Sequence, residues 1–492
     1  MKFQVKDMDI ASGGAHIAIL NEKDAVKLDL RSGDRILVFN GRKKTTCILD
    51  ISESRKAVSP GKIGLFEEVL DILNARQGNI VDVKFTGKPE SVIHIRDKLY
   101  GKELSFVELD HIIRDITSNA LTDIEKTYFV ASGFSNGWTI DEIVNMSKAM
   151  VKNGNQLKFK GITLDKHCIG GIPGNRTTMI IVPIIAAAGF TIPKTSSRAI
   201  TSPAGTADTM ECLAKVELSQ KKIRSIVKKT KACIVHGGSM NLAPADDKII
   251  DVEHPLSIDP EGQLLASVMA KKYSVSANYV LIDIPFGKSS KAKTRKEARR
   301  LKKQFVKVGK RLNITVKAII TDGSHPIGNG IGPLLEAEDV MAVLRNDPLA
   351  PNELKEKSVY LAGLMLEMTG KYSRREGHKL ALNILESGKA LRKMEDMIKA
   401  QGKQKKINLG EFRYHVVARH KGRVKEIDNE IISKIARLAG APTDKGSGLY
   451  LVKNIKDVVL PGDILYTIYA QNKFKLELAK DFVKKNKGYV FK

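Results

Sequence analysis

The sequence is poor in cysteine, in aromatic residues and in long apolar runs. Its four cysteines among 492 residues form no CxxC pair and no metal-ligand spacing, which favours a reduced, cytoplasmic setting. Aromatic residues make up 5% of the chain, which disfavours a single-strand nucleic-acid binder because such proteins stack bases on aromatic rings. No apolar run approaches the roughly 20 residues that cross a bilayer, and no apolar signal region follows Met1, so no membrane association is expected.

Positive charge is what the chain has in excess. Its 82 Lys and Arg residues against 55 Asp and Glu residues give a formal net charge of +27. Such a charge fits nucleic-acid binding, attraction of small phosphorylated substrates, or a lysine-rich proteome. The densest run, residues 288–311, holds twelve Lys and Arg residues against one Glu. A basic run of this kind on a helix is most often a solvated face, so a nucleic-acid partner is not expected.

Local patterns divide the chain into regions of different secondary structure. Its length favours several domains. The first 86 residues predict strands and turns, with a closing helix over 63–73. The next region has apolar residues at helical spacing, and Thr122 and Thr139 are good N-caps, the first with Glu125 as a capping box. The last 80 residues predict strands again, with one inserted helix and a closing helix.

A glycine-rich stretch at residues 165–178 is the clearest candidate for ligand binding. A strand is predicted at 162–164 and a buried helix after the stretch. The stretch has three glycines, Gly170, Gly171 and Gly174, which lack a Cβ and so leave the backbone N–H groups accessible. The helix start that follows favours a bound anion. The stretch fits neither a Walker A loop nor a dinucleotide fingerprint, so a phosphate site is the hypothesis and a glycine-rich turn without a ligand the alternative.

Further loops follow predicted strands in the same way. A hydroxyl-rich loop at 198–206 and a third, glycine-rich loop at 321–332 each precede a helix. Successive strand–loop–helix units predict a parallel sheet, and ligands bind at the carboxyl ends of such strands. The second loop is therefore a candidate second wall of one anion pocket, with ordinary turn chemistry as the alternative.

Single polar residues on or beside predicted helices complete the set of candidates. Ser267 and Lys271 lie four residues apart on one helical face, where a hydroxyl and an ammonium suit a sugar or a heteroaromatic carbonyl. Lys291 stands near a predicted helix start that is placed to face a phosphate pocket. Asp259 precedes Pro260, which is the pattern of a helix N-cap with Pro at the first helical position.

Together these motifs resemble the pyrimidine-nucleoside phosphorylase family, most closely its archaeal AMP phosphorylase branch. The resemblance extends from the N-terminal region to the last helix. It is carried by Asp165-Lys-His with Gly170-Gly171, by Ser196-Ser-Arg-Ala-Ile-Thr-Ser-Pro-Ala-Gly-Thr206, by Ser267-x-x-x-Lys271, by Thr321-Asp-Gly-Ser-x-Pro-Ile-Gly-Asn-Gly-Ile-Gly332, and by the C-terminal stretches Ile435–Pro442 and Lys445–Tyr450.

The resemblance implies a multidomain α/β protein with a catalytic cleft between two lobes. An α-helical lobe joins an α/β lobe whose central sheet is mainly parallel, flanked by a small N-terminal β domain and a C-terminal α+β domain. The implied bounds are 1–86 for the N-terminal domain, 87–158 and 240–275 for the helical lobe, 159–239 and 276–410 for the α/β lobe, and 411–492 for the C-terminal domain.

The activity that the resemblance implies is phosphorolysis of AMP, giving adenine and ribose 1,5-bisphosphate, with CMP and UMP as further substrates. Inorganic phosphate is the co-substrate, no metal or organic cofactor is implied, and a homo-oligomer is expected. The nearest alternative is a thymidine or pyrimidine-nucleoside phosphorylase of the same fold. A more distant relative in architecture is anthranilate phosphoribosyltransferase, which needs a diphosphate and Mg²⁺.

The resemblance also assigns residues to roles. Asp259 matches the position of the proton donor to the leaving base. Inorganic phosphate is expected among Lys166, Thr177, Ser196 and Thr206. The nucleotide is expected at Gly171, Ser197, Arg198, Ala199, Ile200, Thr201, Ser202, Thr206, Ser267 and Lys291. Lys291 is assigned to the 5′-phosphate, and Lys271 and His167 are secondary candidates, with His167 more plausibly a packing or hinge residue.

Two positions depart from the family pattern. Thymidine phosphorylases carry an Arg that grips the pyrimidine at the position that aligns with Val252, so a thymidine-specific enzyme is disfavoured. Cys168 stands where many relatives have Ser, which removes a good phosphate ligand. That contact has to come from the backbone or from neighbouring residues.

Overall fold

The computed structural model describes residues 1–14, 16–199, 202–256, 258 and 260–492, and it leaves out the side chain of Ser239. Contacts group the described residues into two compact units. The first consists of Met1–Asn153 and Ala243–Ser267, and the second of Gly154–Leu242 and Val268–Lys492. The predicted division into four domains stays a prediction.

The first unit begins with a closed six-stranded β-barrel. Its strands are β1 (Lys2–Asp7), β2 (Ile17–Asn21), β3 (Arg35–Asn40), β4 (Lys43–Ser52), β5 (Lys62–Leu65) and β6 (Ile80–Thr86), in the order β1-β5-β2-β4-β3-β6. The pairs β1–β5 and β2–β4 are parallel and the others antiparallel. Helices α1 (Glu22–Lys27) and α2 (Glu67–Leu73) accompany them. The helix expected over 63–73 was therefore wrong at its start, where Lys62–Leu65 closes the barrel as a strand.

Helices follow the barrel in the same unit. They are α3 (Ser91–Leu99), α4 (Phe106–Thr117), α5 (Asp123–Asn136) and α6 (Ile140–Lys152). Both predicted N-caps are confirmed, since Thr122 and Thr139 each accept a hydrogen bond from the amide three residues on and form a capping box. These helices also contain a buried ion pair, in which the Lys98 ammonium donates to both carboxylate oxygens of Glu142 at 2.7 and 2.8 Å.

The second unit opens with two strand–loop–helix segments. They comprise β7 (Leu164–Cys168), α7 (Thr177–Ala187), β8 (Ile192–Ser196), α8 (Thr206–Glu211), α9 (Gln220–Thr230) and β9 (Ala232–His236), with a 3₁₀ turn at Gly238–Met240. Helix α10 (Pro244–Leu256) belongs to the first unit, and α11 (Glu261–Ser274) has residues in both units.

The α/β part of the second unit continues with a further strand–helix–strand segment. Its elements are β10 (Tyr279–Phe286), α12 (Arg295–Arg311), β11 (Thr315–Asp322), β12 (Gly330–Ile331), α13 (Pro333–Arg345), α14 (Asn352–Met368), α15 (Arg374–Glu386) and α16 (Lys389–Gln401). Strands β11, β10 and β7 pair in parallel, as do β8 and β9, and a parallel bridge between Thr163 and Thr191 links the two sets. This confirms the predicted mainly parallel sheet.

The chain ends in an α+β region of the second unit. It contains β13 (Phe412–Val417), β14 (Gly422–Ile427), α17 (Asn429–Leu438), β15 (Gly448–Leu451), β16 (Val458–Val459), β17 (Ile464–Ala470), α18 (Lys473–Lys485) and β18 (Tyr489–Phe491). Strand β12 of the third glycine-rich loop pairs with β15 of this region. None of the helices described combines the length and the apolar character that crossing a bilayer requires.

Candidate phosphate-binding site

Lys166 lies on a strand and not in the loop that the sequence predicted. Strand β7 runs from Leu164 to Cys168, so the first four residues of the glycine-rich stretch pair with β10, with Lys166 opposite Leu281. The glycine-rich loop is consequently shorter than predicted, and it spans residues 169–176 between β7 and α7. The strand carries Lys166 at its middle, with the side chain fully buried.

The Lys166 ammonium contacts the start of helix α7. It donates to the Thr177 hydroxyl at 2.9 Å and to the Thr178 hydroxyl at 3.4 Å. Its nearest carboxylate oxygen, on Asp283, lies at 3.9 Å, which is too long for a hydrogen bond. An ammonium has three N–H donors, so two are used by hydroxyls and one is left for an anion. The structure thus brings together Lys166 and Thr177, two of the residues predicted to bind phosphate.

A cluster of buried charges surrounds this ammonium. Among the described residues, four lysines share two carboxylates in this part of the second unit. Asp165 lies 2.7 Å from Lys272 and 3.8 Å from Lys194, while Asp283 lies 3.3 Å from Lys357 and 3.9 Å from Lys166. Buried charges are normally balanced, so this surplus of positive charge favours a bound anion.

Burial and the neighbouring ammonium groups act against the charged forms in this cluster. Burial lowers the pKa of Lys166, and burial with the neighbouring Lys272 lowers the pKa of Lys194 well below its usual value. His167, next along β7, is half-buried, and desolvation together with Lys272 and Lys194 lowers its pKa well below 6.5. A neutral imidazole at pH 7 follows, which agrees with the interpretation of His167 as something other than the acid.

The glycine-rich loop packs against the loop that carries Lys291. Gly171 has φ +97°, and a Cβ there would lie 2.9 Å from Ser290 Cα and 3.0 Å from the Ser289 carbonyl oxygen. Two residues predicted to contact the nucleotide, Gly171 and Lys291, are therefore neighbours. Lys291 is exposed and lies in the connection after β10, since α12 begins only at Arg295; the predicted helix start near Lys291 was wrong.

The described residues of the hydroxyl-rich loop are held by carboxylates. The Asp208 carboxylate accepts from the amides of Ala199 and Gly205 at 2.7 and 2.9 Å. The Arg198 guanidinium, predicted to bind nucleotide, donates to both oxygens of Glu211 at 2.8 Å and to Glu217 at 2.7 Å. Its charge is thus already paired, and its role at the nucleotide stays a prediction.

Arg176 joins the first two loops. Its guanidinium forms an ion pair with the buried Glu336, donates to the Ala204 carbonyl at 2.6 Å and donates to the Thr206 hydroxyl at 3.3 Å. Thr206 is also the first residue of α8. One side chain therefore fixes Thr206 relative to Thr177, although these residues are 29 positions apart.

The other predicted site residues are only partly tested by the geometry. The Ser196 hydroxyl, at the end of β8, donates to the Ser197 carbonyl at 3.4 Å, and the Ser202 hydroxyl donates to the Ala204 carbonyl at 3.1 Å. The half-buried Ser267 and Lys271 share α11. The predictions on Asp259, Ile200 and Thr201 fall outside the described residues.

Sequence reasoning missed the buried partners of Lys166. A signal was present, because Asp283 interrupts the otherwise apolar strand β10, and charged residues are almost never fully buried unless they are paired. The pairing itself follows from strand register, which the sequence does not display.

The comparisons with known proteins agree with this arrangement. Residues 160–391 match the glycosyl transferase family a/b domain, and residues 93–154 match the helical bundle domain of the same family. Residues 423–489 match the pyrimidine nucleoside phosphorylase C-terminal domain.

Relatives of nearly the same length are found as well. The chain is 44% identical over 485 residues to the AMP phosphorylase of Thermococcus kodakarensis, covering 97% of this chain and 95% of that one. It is 45% identical over 472 residues to AMP phosphorylase 1 of Archaeoglobus fulgidus, covering 95% and 93%. The chain belongs to the pyrimidine-nucleoside phosphorylase family. A Legionella pneumophila member with a provisional thymidine phosphorylase name is 42% identical over 93% of this chain and 88% of that one.

Membership of this family makes the chain a pentosyltransferase. A solved structure supports the fold alone: anthranilate phosphoribosyltransferase from Thermus thermophilus matches with a TM-score of 0.54 at 17% identity, over 63% of this chain and 99% of that one. The predicted multidomain α/β fold class is confirmed by these matches.

Gly205→Ala should weaken the binding of inorganic phosphate about tenfold, the equivalent of one lost hydrogen bond. A Cβ at Gly205 would lie 2.7 Å from the Ala199 nitrogen and 2.8 Å from the Arg198 carbonyl carbon and the Ser197 oxygen. Because all three are backbone atoms, the loop that carries Ser196 and Thr206 has to move. Titration calorimetry with phosphate measures the change.

Gly237→Ala is the matched control, because a Cβ there meets nothing closer than 3.8 Å at the same sheet edge. Its phosphate affinity should equal that of the wild type. A folded Gly205→Ala protein with unchanged affinity would show that this loop does not bind phosphate.

Proposed function

We propose that this protein catalyses the phosphorolysis of AMP, producing adenine and ribose 1,5-bisphosphate, with CMP and UMP as further substrates. The observation that carries the proposal is the buried Lys166 ammonium, which has one N–H donor to spare inside a cluster with surplus positive charge. The names of the relatives from Thermococcus kodakarensis and Archaeoglobus fulgidus support AMP as the substrate.

In the proposed reaction an oxygen of inorganic phosphate attacks C1′ while the bond from C1′ to the base nitrogen breaks. The electron pair of that bond goes to the base, and the Asp259 carboxyl donates the proton that the base takes up. No protein nucleophile is needed, because the protein acts by holding two anions in line and by stabilising the departing base. A carboxyl that donates at neutral pH needs a raised pKa.

The residues proposed for binding follow from the family pattern and the geometry of the second unit. Inorganic phosphate would bind at Lys166, Thr177, Ser196 and Thr206. Ser196 ends β8, Thr177 and Thr206 begin α7 and α8, and the Lys166 ammonium reaches the start of α7 from the middle of β7. A bound dianion favours the charged form of Lys166, whose pKa burial lowers. The nucleotide would bind at Gly171, Ser197–Ser202, Thr206, Ser267 and Lys291.

The alternative activity is that of a thymidine phosphorylase, which the provisional name of the Legionella relative supports. Thymidine phosphorylases bind the pyrimidine with an Arg. In this chain the aligned position is Val252, a buried apolar side chain on α10. Because Val252 donates no hydrogen bond, it favours AMP over thymidine.

The remaining features of the proposal come from the chemistry and the family branch. Two anions and a proton donor are sufficient for the reaction, so we propose no metal or organic cofactor in catalysis. We further propose an archaeal type of enzyme that acts in cytoplasmic nucleotide salvage or degradation as a homo-oligomer.

The purified protein should release adenine from AMP only when phosphate is present, at a rate that far exceeds its release of thymine from thymidine. Chromatography of the free bases and of the sugar bisphosphate provides the measurement. EDTA should leave the rate unchanged, unlike that of a Mg²⁺-dependent phosphoribosyltransferase. Rapid turnover of thymidine with none of AMP would refute the proposal.

Asp259→Asn should reduce AMP turnover by roughly 10²–10⁴-fold, the usual contribution of general acid catalysis, because an amide cannot donate the proton. The melting temperature should stay close to that of the wild type. A lowered melting temperature with full turnover would instead identify Asp259 as a helix N-cap.

Lys291→Ala should reduce AMP turnover by about tenfold or more, while any residual turnover of adenosine stays nearly unchanged, since adenosine has no 5′-phosphate to bind. Steady-state kinetics with both substrates separate the two effects. Lys288→Ala removes the same charge from the same connection, where its side chain is 76% exposed, and should affect neither substrate. Equal losses for AMP and adenosine in Lys291→Ala would contradict the assignment.

A further inference from the structure

Two histidines face each other across the α3–α4 hairpin of the first unit. The rings of His94 on α3 and His111 on α4 have centroids 5.5 Å apart. Glu90, directly before α3, places a carboxylate oxygen 3.6 Å from His111 Nδ1. One ligand atom from each of Glu90, His94 and His111 lies within 4.8 Å of the other two.

Three of the four imidazole nitrogens of this group make no hydrogen bond within the described part of the chain, and their nearest carboxylate oxygens lie at 3.6 Å (Glu90 to His111) and 3.9 Å (Glu108 to His94). These three, both ring nitrogens of His94 and Nδ1 of His111, are buried. The His94 side chain is only 12% exposed. A buried polar atom without a partner costs free energy, so each such group calls for an explanation. A bound metal ion would provide the missing partner.

A second possible set, His94 with Asp97 and Glu108, is already engaged by a protein cation. The Lys102 ammonium lies 2.9 Å from Asp97 and 3.1 Å from Glu108. Glu108 also accepts from the Ser105 amide at 2.7 Å in the capping box of α4. These carboxylates therefore have partners, while Glu90 is 65% exposed and free to turn towards the imidazoles.

We propose that Glu90, His94 and His111 bind a Zn²⁺ ion. Two imidazoles and one carboxylate are ligands that Zn²⁺ accepts, with water in a fourth position. Zinc–ligand distances of about 2.0–2.2 Å place tetrahedral ligand atoms roughly 3.4 Å apart. The ligand atoms, which lie within 4.8 Å of one another, therefore have to close in by up to about 1.4 Å. The ion would link α3 to α4 and stabilise the hairpin. This site is independent of the proposed reaction, in which no metal takes part.

The test is a zinc titration of the full-length, chelator-treated protein against a chromophoric competitor. The wild type should bind one Zn²⁺ with submicromolar affinity and gain thermal stability on binding. His94→Asn and His111→Asn should each weaken binding at least about tenfold, since each removes one ligand. Co²⁺ in place of Zn²⁺ should give the visible absorption of a tetrahedral site in the wild type and lose it in both variants.

Two control variants make the result specific. His325→Ala removes an imidazole that pairs with a single carboxylate, Glu353 at 3.1 Å, and should leave zinc binding unchanged. Lys102→Met releases Asp97 and Glu108; markedly tighter binding in this variant would assign the site to the second set and overturn the ligands proposed here. Zinc binding that is absent in the wild type, or undiminished in folded His94→Asn and His111→Asn proteins, would overturn the proposal altogether.

Discussion

The burial of the Lys166 ammonium is the constraint on which the candidate phosphate site depends. Removing an ammonium from water costs several kcal/mol unless a partner compensates. Asp283 compensates only in part, because it lies 3.9 Å away and is shared with Lys357 at 3.3 Å. The two threonine hydroxyls at the start of α7 provide dipoles but no charge. The described residues thus balance this cation only in part, and the phosphate that we propose to bind there would complete the balance, as preorganisation for anion transfer requires.

The glycines of the loops contribute in a way that differs from the usual account of a phosphate loop. Gly174 has φ +71°, and a Cβ there would lie 2.2 Å from the Ile327 carbonyl oxygen of the third glycine-rich loop. Gly171 meets the backbone at Ser289 and Ser290 with similar closeness, and Gly205 meets the loop at 197–199. Glycine is needed because backbone approaches backbone. The contacts of Gly171 and Gly174 join the first loop to loops from distant parts of the sequence, while those of Gly205 close the second loop on itself.

Local sequence patterns predicted the elements well wherever local physics decides. The capping boxes at Thr122 and Thr139 follow from hydrogen bonds within four residues, and the parallel sheet follows from repeated strand–loop–helix units. Asp165 and Lys166 were assigned to a loop because two charges interrupt the apolar pattern that marks a buried strand. What makes them a strand is pairing with β10, more than 100 residues later, and β10 also carries Asp283. Lys272 approaches Asp165 from helix α11, which is equally distant in the sequence. Closure of the N-terminal barrel likewise depends on pairing between distant segments.

Cys168 shows how the site compensates for a weak ligand. Burial, together with the charge of Asp283, raises the pKa of this thiol, so it stays neutral and is a poor hydrogen-bond donor to an anion. Asn175 donates to its sulfur at 3.4 Å and accepts from the Thr177 hydroxyl at 3.2 Å, while Thr177 accepts from Lys166. The proton of the Thr177 hydroxyl is therefore directed at Asn175. In the proposed site Thr177 would contact phosphate through its backbone N–H at the start of α7, beside the third N–H of Lys166.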